Sequence, residues 1–497
     1  MPAPTRRLLL AAAAAAVAAC ASGCASGPPV DANALLAEAE QALGSAELKT
    51  LRFSASGSGA TFGQAWQPAM GWPALNYSSL TRVLDYDNAA MREDYGRSRA
   101  EVNGGGAVPL MGQGEQRVTG FAMGDFAWNA AGTASTPAPV ALDGRLHDLW
   151  TTPHGALKAA RRHGATAGST ITEGGQRLRS FQYSVPGRVA ATAYVDDRGL
   201  ITRIDSRLPH PVMGDTEVVT HYSDYRPFGA VRFPMRIRQV QGGHPVFDLA
   251  VQSVEPNAAA GIAVPDNVRQ FSERATSEQV APGVWFIAGG SHNSVAIEMS
   301  NHVVLVEAPL YDGRATAVLA EVKRLLPAKP VRTVINSHHH FDHAGGLRSV
   351  AAEGTTLVTS QMAKPYFERV FANANRIRPD RLAQAGGKQP EIIGVATQRE
   401  FVDGDLRFVV HEIQGSVHAQ GFLMVYLPKE RLLIEADAFT PAAPNTAPPA
   451  IPNANTVNLA QNIERLGLKV DRVLPLHGRV VPLAEMYAAI GRPLPPQ

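Results

Sequence analysis

The sequence predicts an α/β chain in two parts: a mainly antiparallel β region over residues 30–275, then a region of alternating strands and helices over 278–497. Three observations lead to that reading. Most of the first part consists of short runs in which apolar and polar residues alternate between Gly-, Pro- and Asp-rich turns, as half-buried antiparallel strands do. The second part sets β-branched apolar runs between stretches whose apolar residues recur at helical spacing. At 497 residues, 45% of them hydrophobic, the chain exceeds a usual domain of ~100–200 residues and holds material for two cores.

Ahead of both parts, residues 1–25 read as an export signal. Arg6 and Arg7 supply a positive start, and Leu8 to Ala19 form an apolar stretch too short for a bilayer core of ~30 Å. Thr5-Arg6-Arg7-Leu8-Leu9-Leu10 resembles a twin-arginine leader, and Val17-Ala18-Ala19-Cys20 resembles a bacterial lipobox with Cys20 as the acylated residue. Both predict a periplasmic or cell-envelope protein, the second with a membrane tether through Cys20. The simpler alternative is an ordinary cleaved signal in which Cys20 and Cys24 are merely small residues. They are the only 2 cysteines, so the folded body needs no disulfide framework and offers no thiolate to a metal. Lys and Arg number 46 against 44 Asp and Glu, the excess lying in the leader, and no basic stripe marks a nucleic-acid partner.

Gly27-Pro28-Pro29 reads as a linker into the folded body. Asp31 is the expected N-cap of a helix from Ala32 to Leu43, with Leu35, Leu36, Ala39 and Leu43 on its apolar side. Strands are expected at Leu51 to Ser56, Phe181 to Val185 and Val231 to Val240, and a hairpin turns at Asp196-Asp197-Arg198-Gly199. Thr152 and Pro153 open a second helix that turns Leu157 and Ala160 inward. His147, His154, His163, His210, His221 and His244 lack ligand spacing and read as structural.

A polar joint, Pro265 to Ala275, leads to Gln279 to Ile287 and the second part. Strands follow at Ser294 to Met299 and His302 to Glu307, then a helix from Gly313 to Leu326 with Ala315, Leu319, Val322 and Leu326 on one face. The run Val331 to Asn336, bounded by Pro330, reads as a buried strand that delivers Ser337 to Gly346 onto a loop. Beyond it come a strand at Thr355 to Thr359, a helix from near Ser360, and paired strands at Phe408 to Glu412, Phe422 to Leu427 and Leu432 to Ala436.

That loop carries the chemistry. His338 and His340, two residues apart, can face one point, while Asp342 and His343 face a second beside it. Neutral imidazole and carboxylate oxygen are ligands that suit Zn²⁺, and Gly345-Gly346 allow a tight turn into the next helix. A lone histidine is usually structural; a cluster this dense at a strand end is a metal loop.

His338-x-His340-x-Asp342-His343 resembles the signature of the metallo-β-lactamase superfamily. Its later elements follow in order: Gly415-Ser416-Val417-His418, Leu432-Leu433-Ile434-Glu435-Ala436-Asp437 and Val473-Leu474-Pro475-Leu476-His477-Gly478. The resemblance covers residues 278 to 482 and implies an αββα sandwich of two sheets with helices outside. It further implies two zinc ions per chain, one held by His338, His340 and His418, the other by Asp342, His343 and His477, with Asp437 between them. Asp437 and Asp342 become the catalytic acids, the latter orienting a metal-bridged hydroxide that cleaves an ester, lactone, thioester or amide in a small molecule. Relatives dedicated to β-lactams typically carry Cys or a non-bridging residue where this chain has Asp437, so a β-lactamase is the alternative reading. A second alternative is a non-catalytic envelope protein that binds a lipid or partner.

The N-terminal part resembles a β-rich extension found on some exported members and declares no role. Glu307-Ala308 departs from the Asp common at that point, so the support of the metal loop is expected to differ. His339 and His411 fall outside the pattern as supporting residues, His339 being the better placed for substrate. Tyr311, Phe341 and the Pro441 to Asn455 loop are candidate pocket walls. Arg376, Arg378 and Arg381 are read either as an anion clamp or as a solvated basic loop.

Overall fold

The computed structural model describes residues 31–100, 114–444 and 446–495. The leader, with Arg6, Arg7 and Cys20, lies outside the described residues. Asp31 caps Ala32–Leu43 as expected, its carboxylate accepting from the amides of Asn33 and Ala34. Thr152 likewise caps Pro153–His163 through the amide of Gly155.

The alternating runs pair into one antiparallel sheet of 13 strands. It extends from Ala134–Pro137 at one edge to Ala165–Glu173 at the other. Near its middle, Thr50–Ala60 lies between Ala74–Asp85 and His244–Pro256, so the first and last strands of the region are neighbours. Ala32–Leu43, Leu142–Trp150 and Pro153–His163 lay their apolar sides on the sheet in one core with Phe53, Phe181 and Phe233. The run expected as a single strand from Val231 to Val240 is broken. Val231–Phe233 pairs with Arg226–Phe228 in a small separate ribbon, and Arg236–Gln241 joins the large sheet. Pro234, which has no N–H to give a ladder, stands at the break.

The C-terminal region is a sandwich of a 7-stranded and a 6-stranded sheet. Phe286, Val295 and Ile297 from the first meet Phe408, Val425 and Ile434 from the second in one core. Helices Asp312–Leu325, Leu347–Ala351 and Lys364–Ala372 cover the outer side of the first sheet through Val318, Val350 and Phe367, and Ala454–Leu466 packs on the second through Leu459 and Ile463. This is the expected mixed α/β sandwich. The parallel strands Val303–Val306, Val331–Ile335 and Thr356–Ser360 end together, and the metal loop leaves from the middle one. That loop opens with a single helical turn, Phe341–Ala344.

Gly345 and Gly346 serve a purpose other than the expected tight turn. Both sit at ordinary right-handed dihedrals. A Cβ on Gly345 would lie 1.8 Å from the carbonyl oxygen of Leu310, and one on Gly346 would lie 2.7 Å from the Ala315 methyl. They are glycines because the loop is pressed against the segment 308–315.

His154, fully buried against Phe233, places Nε2 3.3 Å from the Leu43 carbonyl. Burial pushes its imidazole down to about 4. An unfolded histidine titrates near ~6.5, so between those values the unfolded chain binds more protons than the folded one. The contribution of this group is complete above about pH 6.5 and is lost as pH falls towards 4. The melting temperature of His154→Gln should therefore lie below wild type at neutral pH and converge on it near pH ~4. A gap that stays constant over that range would show that His154 is not folded as the neutral ring.

Candidate metal centre

At the end of Val331–Ile335 the chain is held by Glu307. Its Oε1 accepts from the Ser337 amide at 2.6 Å and the Asn336 side chain at 3.3 Å, and its Oε2 accepts from His343 Nδ1 at 2.6 Å. Glu307 is fully buried and has a left-handed backbone, φ +67. The departure at this position thus provides support of its own: the longer side chain orients His343 and the loop amide together.

The structure brings the predicted residues into two adjoining groups. His338, His340, His418 and Asp437 place one ligand atom each within 4.8 Å of the others. Within this group His338 Nε2 is 3.0 Å from His418 Nε2, and Asp437 Oδ2 is 2.8 Å from His418 Nε2. The second group holds Asp342, His343 and His477, with His343 Nε2 3.1 Å from His477 Nε2. Asp437 reaches it too, with Oδ1 2.6 Å from His477 and Oδ2 3.0 Å from His343. Glu435 fixes the turn that carries Asp437, since its Oε2 accepts from the amides of Ala438 and Phe439. Burial pushes the Glu435 carboxyl well up.

Three features fit this arrangement to metal ions. His340 donates from Nε2 to the carbonyl of Ala65 at 2.9 Å, and its buried Nδ1 has no hydrogen-bond partner. A carbonyl only accepts, so the proton is on Nε2 and Nδ1 presents a bare lone pair. The Nε2 atoms of His338 and His418, and those of His343 and His477, converge to 3.0 and 3.1 Å, as ligands of a common ion would. Finally, acid is in surplus around His343. Burial alone would lower this imidazole, but Asp437, Asp342 and Glu307 hold it well above its ordinary value. Burial opposes ionisation of Asp342 and Asp437 as well, and the neighbouring imidazoles, His343 foremost, outweigh it and keep both well below the carboxylate range. His338 and His340 are pushed well down by burial and then by neighbouring imidazoles, so both are neutral, as ligation requires.

Sequence reasoning missed His292. It belongs to the second group: its Nε2 lies 3.3 Å from Asp342 Oδ2, and its ring centroid is 4.0 Å from that of His477. Ser291 Oγ meets Nδ1 at 2.8 Å, leaving Nε2 turned to the site. The next residue staples this segment to the strand that delivers His477, because the Asn293 amide donates to Leu476 O and its side chain donates to Gly478 O, both at 2.8 Å. No spacing signal marks His292, whose partners lie far along the chain.

The N-terminal region also enters the centre. The connection between Thr50–Ala60 and Ala74–Asp85 lays Gly63 to Gln67 over the metal loop. Gln64 Nε2 donates to Asp342 Oδ1 at 2.8 Å, and the Ala65 carbonyl accepts from both His339 at 2.8 Å and His340. Gly63 is required there, since its φ is +79 and a Cβ would lie 2.1 Å from the Phe341 ring.

Other expectations change. His339 is buried against Ala65 and does not border the cavity over the centre. His411 is buried on Leu406–Glu412, outside both groups. Phe341 and the 441–455 loop, through Asn453 and Asn455, do line a cavity over the centre, whereas Tyr311 points to Glu273 at 2.5 Å. The segment 373–381 is exposed at Arg376 and Arg378, as a solvated loop is, but it also makes defined contacts. Arg378 pairs with Asp143 and Arg381 with Glu353, while the amides of Arg376 and Ile377 donate to Asp215. It binds the two regions together.

A two-sheet sandwich with a histidine and aspartate centre at its strand ends defines an α/β protein whose side chains are grouped as metal ligands are. Residues 287–477 match the family described as the metallo-beta-lactamase superfamily, and this part of the chain belongs to that superfamily. A curated relative, the 2,4-dinitroanisole O-demethylase subunit alpha of Nocardioides sp. (strain JS1661), is 27% identical over 210 residues, 42% of this chain and 59% of that protein. The chain thus spans 59% of the length of that relative. Among solved structures, a metallo-beta-lactamase from Pontibacter korlensis is 17% identical with a TM-score of 0.34, covering 44% of this chain and 98% of its own. One from Hirschia baltica is 18% identical with a TM-score of 0.33, covering 45% of this chain and 100% of its own.

His292→Ala should leave the fold intact and weaken metal retention at the second group. During dialysis against a graded chelator series, the variant is expected to release one equivalent at a chelator strength where wild type keeps it. Identical metal loss from the two proteins would limit His292 to orienting Asp342.

Proposed function

We propose that the chain is an exported, dinuclear zinc hydrolase of small molecules carrying an ester, lactone, thioester or amide bond. The observation that carries this reading is Asp437, whose one carboxylate faces both groups of imidazoles. Metal ions held there supply a water acidified towards a pKa of about 7 and a Lewis acid for the bond under attack. Seven side chains named from the sequence, joined by His292, would hold them.

The chain's own residues do the rest. Asp342 is the more open of the two acids, its side chain 32% exposed against 14% for Asp437, and it borders the cavity. With Oδ1 held by Gln64, its Oδ2 is the atom placed to take the proton of the attacking water and return it to the leaving group. His338 and His340, neutral and fixed by Ser337 Oγ and Ala65 O, keep their geometry without reorganisation.

A bridging Asp437 and the lack of cysteine in the folded body weigh against a dedicated β-lactamase, and the retained ligand set weighs against a non-catalytic envelope protein. The O-demethylase subunit among the relatives adds an alkyl aryl ether to the bonds worth assaying. The metal-loaded mature chain should hold two equivalents of zinc and turn over at least one of nitrocefin, an aryl ester, an acyl-homoserine lactone, a thioester, a bis-aryl phosphodiester and an alkyl aryl ether. Asp437→Ala should lower that turnover by orders of magnitude with an unchanged circular dichroism spectrum. Well under one zinc per chain after supplementation would sink the reading, and unaltered turnover in the variant would show the bridge to be misassigned.

The leader sequence supports a periplasmic or cell-envelope location for this activity, with a tether through Cys20. Several acyl chains on one lipoprotein cysteine suffice for stable anchoring, where a single chain gives only ~10⁴ M⁻¹. Cys20→Ser should then shift the protein to the soluble periplasmic fraction or stall it unprocessed. Wild type and variant recovered alike as soluble, processed protein would reduce the leader to an ordinary signal.

A further inference from the structure

The cavity over the metal centre has a volume of about 570 Å³, within the range that accommodates a small organic ligand. Asp342, His418, Asp437 and His477 form its floor. The opposite wall belongs to the N-terminal region: Phe62, Val140, Leu208, Pro209 and Pro211, brought together from three separate stretches of chain.

The two charged side chains on that wall, Asp143 and Arg97, both have partners. Asp143 borders the cavity, but its carboxylate accepts from Arg188 at 2.8 Å and from Arg378 at 2.9 Å. Arg97 also borders it, with Nε donating to Gln116 at 2.8 Å and the guanidinium 5.4 Å from the Tyr95 ring centre. The rest of that wall is mostly apolar, and its polar members, Thr61, Gln64, His210 and Gln241, are not acids or strong bases. A charged substrate group seated against the apolar part of this wall would lose water, whereas an apolar one gains by leaving it.

A second cavity, of about 280 Å³, adjoins the first, and Phe62, Gly144, Leu208 and Gln241 border both. Its far side is closed by a buried ion pair, Arg82 to Asp148 at 2.6 Å. Phe62 and Leu208 are the two apolar side chains of that shared border, between the space above the metal centre and a reserve of space within the N-terminal region.

We propose that the inter-region cavity is the subsite for an uncharged apolar acyl or aryl group of the substrate, and that the Phe62 and Leu208 partition sets the length of that group. The N-terminal region is then the substrate-selecting half of the active site. The inference takes its chemistry from the hydrolase reading and its shape from the cavity alone. For an ester, the oxygen of water bonds to the acyl carbon, the C–O bond to the alcohol breaks, and the water's proton ends on the departing oxygen. The acyl chain lies against the partition throughout.

The test uses the metal-loaded mature chain with p-nitrophenyl esters from acetate to dodecanoate, and fluorescence titration with the neutral probe N-phenyl-1-naphthylamine. In wild type, kcat/KM should rise by up to about fourfold per added methylene until the cavity is filled, then fall. Leu208→Ala opens the partition and should move the optimum to longer esters, a gain that misfolding does not produce. Val140 is 49% exposed, so Val140→Glu carries no core penalty; it should weaken probe binding and lower kcat/KM for the preferred ester by about tenfold or more. A flat dependence on chain length in wild type, or an optimum unmoved in Leu208→Ala, overturns the proposal. Probe binding that Val140→Glu weakens, without turnover of any ester, keeps the apolar subsite and refutes ester hydrolysis. Turnover without chain-length preference or probe binding does the reverse.

Discussion

Asp437 is the point on which the site depends, because one carboxylate must face two groups of buried imidazoles at once. Its strand neighbours fix the distance. Leu432–Glu435 runs between Leu423–Leu427 and Arg472–Pro475, and the latter strand delivers His477. Glu435 then closes the turn onto the amides of Ala438 and Phe439, so the side chain that follows is aimed by main-chain geometry and not by a flexible loop. Interactions between ionised groups are several-fold stronger in a partly buried site than in water. The same burial makes an uncompensated charge costly, and here the acids around His343 are in surplus, so that a cation completes the balance.

The second constraint comes from across the regional boundary. The tautomer of His340 is set by the carbonyl of Ala65, and Asp342 is held by Gln64, both from a connection between two strands of the 13-stranded sheet. That connection is anchored at both ends by long strands, and the regions are further clamped by Asp143 with Arg378 and by Asp215 with the amides of Arg376 and Ile377. A shift of the N-terminal region would therefore reach the metal ligands directly. Such support commonly matters about as much as the ligands themselves.

The metal loop was legible because its information is local: His338, His340, Asp342 and His343 lie within six positions, and strand periodicity placed them at a sheet end. His418, Asp437 and His477 were legible only through the resemblance, since each is a single residue whose meaning depends on strand order. His292 carried no such mark. It becomes part of the site only because Asn293 is bonded to the strand of His477, and that pairing is invisible until the sheets are assembled. The contacts of Arg378 and of the Arg376 and Ile377 amides were hidden for the same reason, as Asp143 and Asp215 lie in the other region. In the first part, alternation gave the strands their places, but Pro234 divided a run whose apolar pattern continued across it.

Glu307 and the glycine pair are two sides of one close approach. Glu307 and Leu310 both have φ +67, a left-handed conformation that costs non-glycine residues of the order of 1–3 kcal/mol and persists only where surroundings over-determine it. The surroundings here are the metal loop itself. The Leu310 amide donates to Asp342 O at 2.7 Å and the Gly346 amide to Ala308 O at 2.8 Å, while the Glu307 carboxylate grips Ser337 and His343. Segment 307–310 is thus a collar drawn tightly around the loop, and it can be drawn so tightly only because positions 345 and 346 have no side chain. The strain in the collar is balanced by the hydrogen bonds that hold Asp342 and His343 in place. A Glu with a longer reach than Asp satisfies the loop amide and the imidazole together, so the departure at position 307 leaves the loop as firmly held from this side as Ala65 and Gln64 hold it from the other.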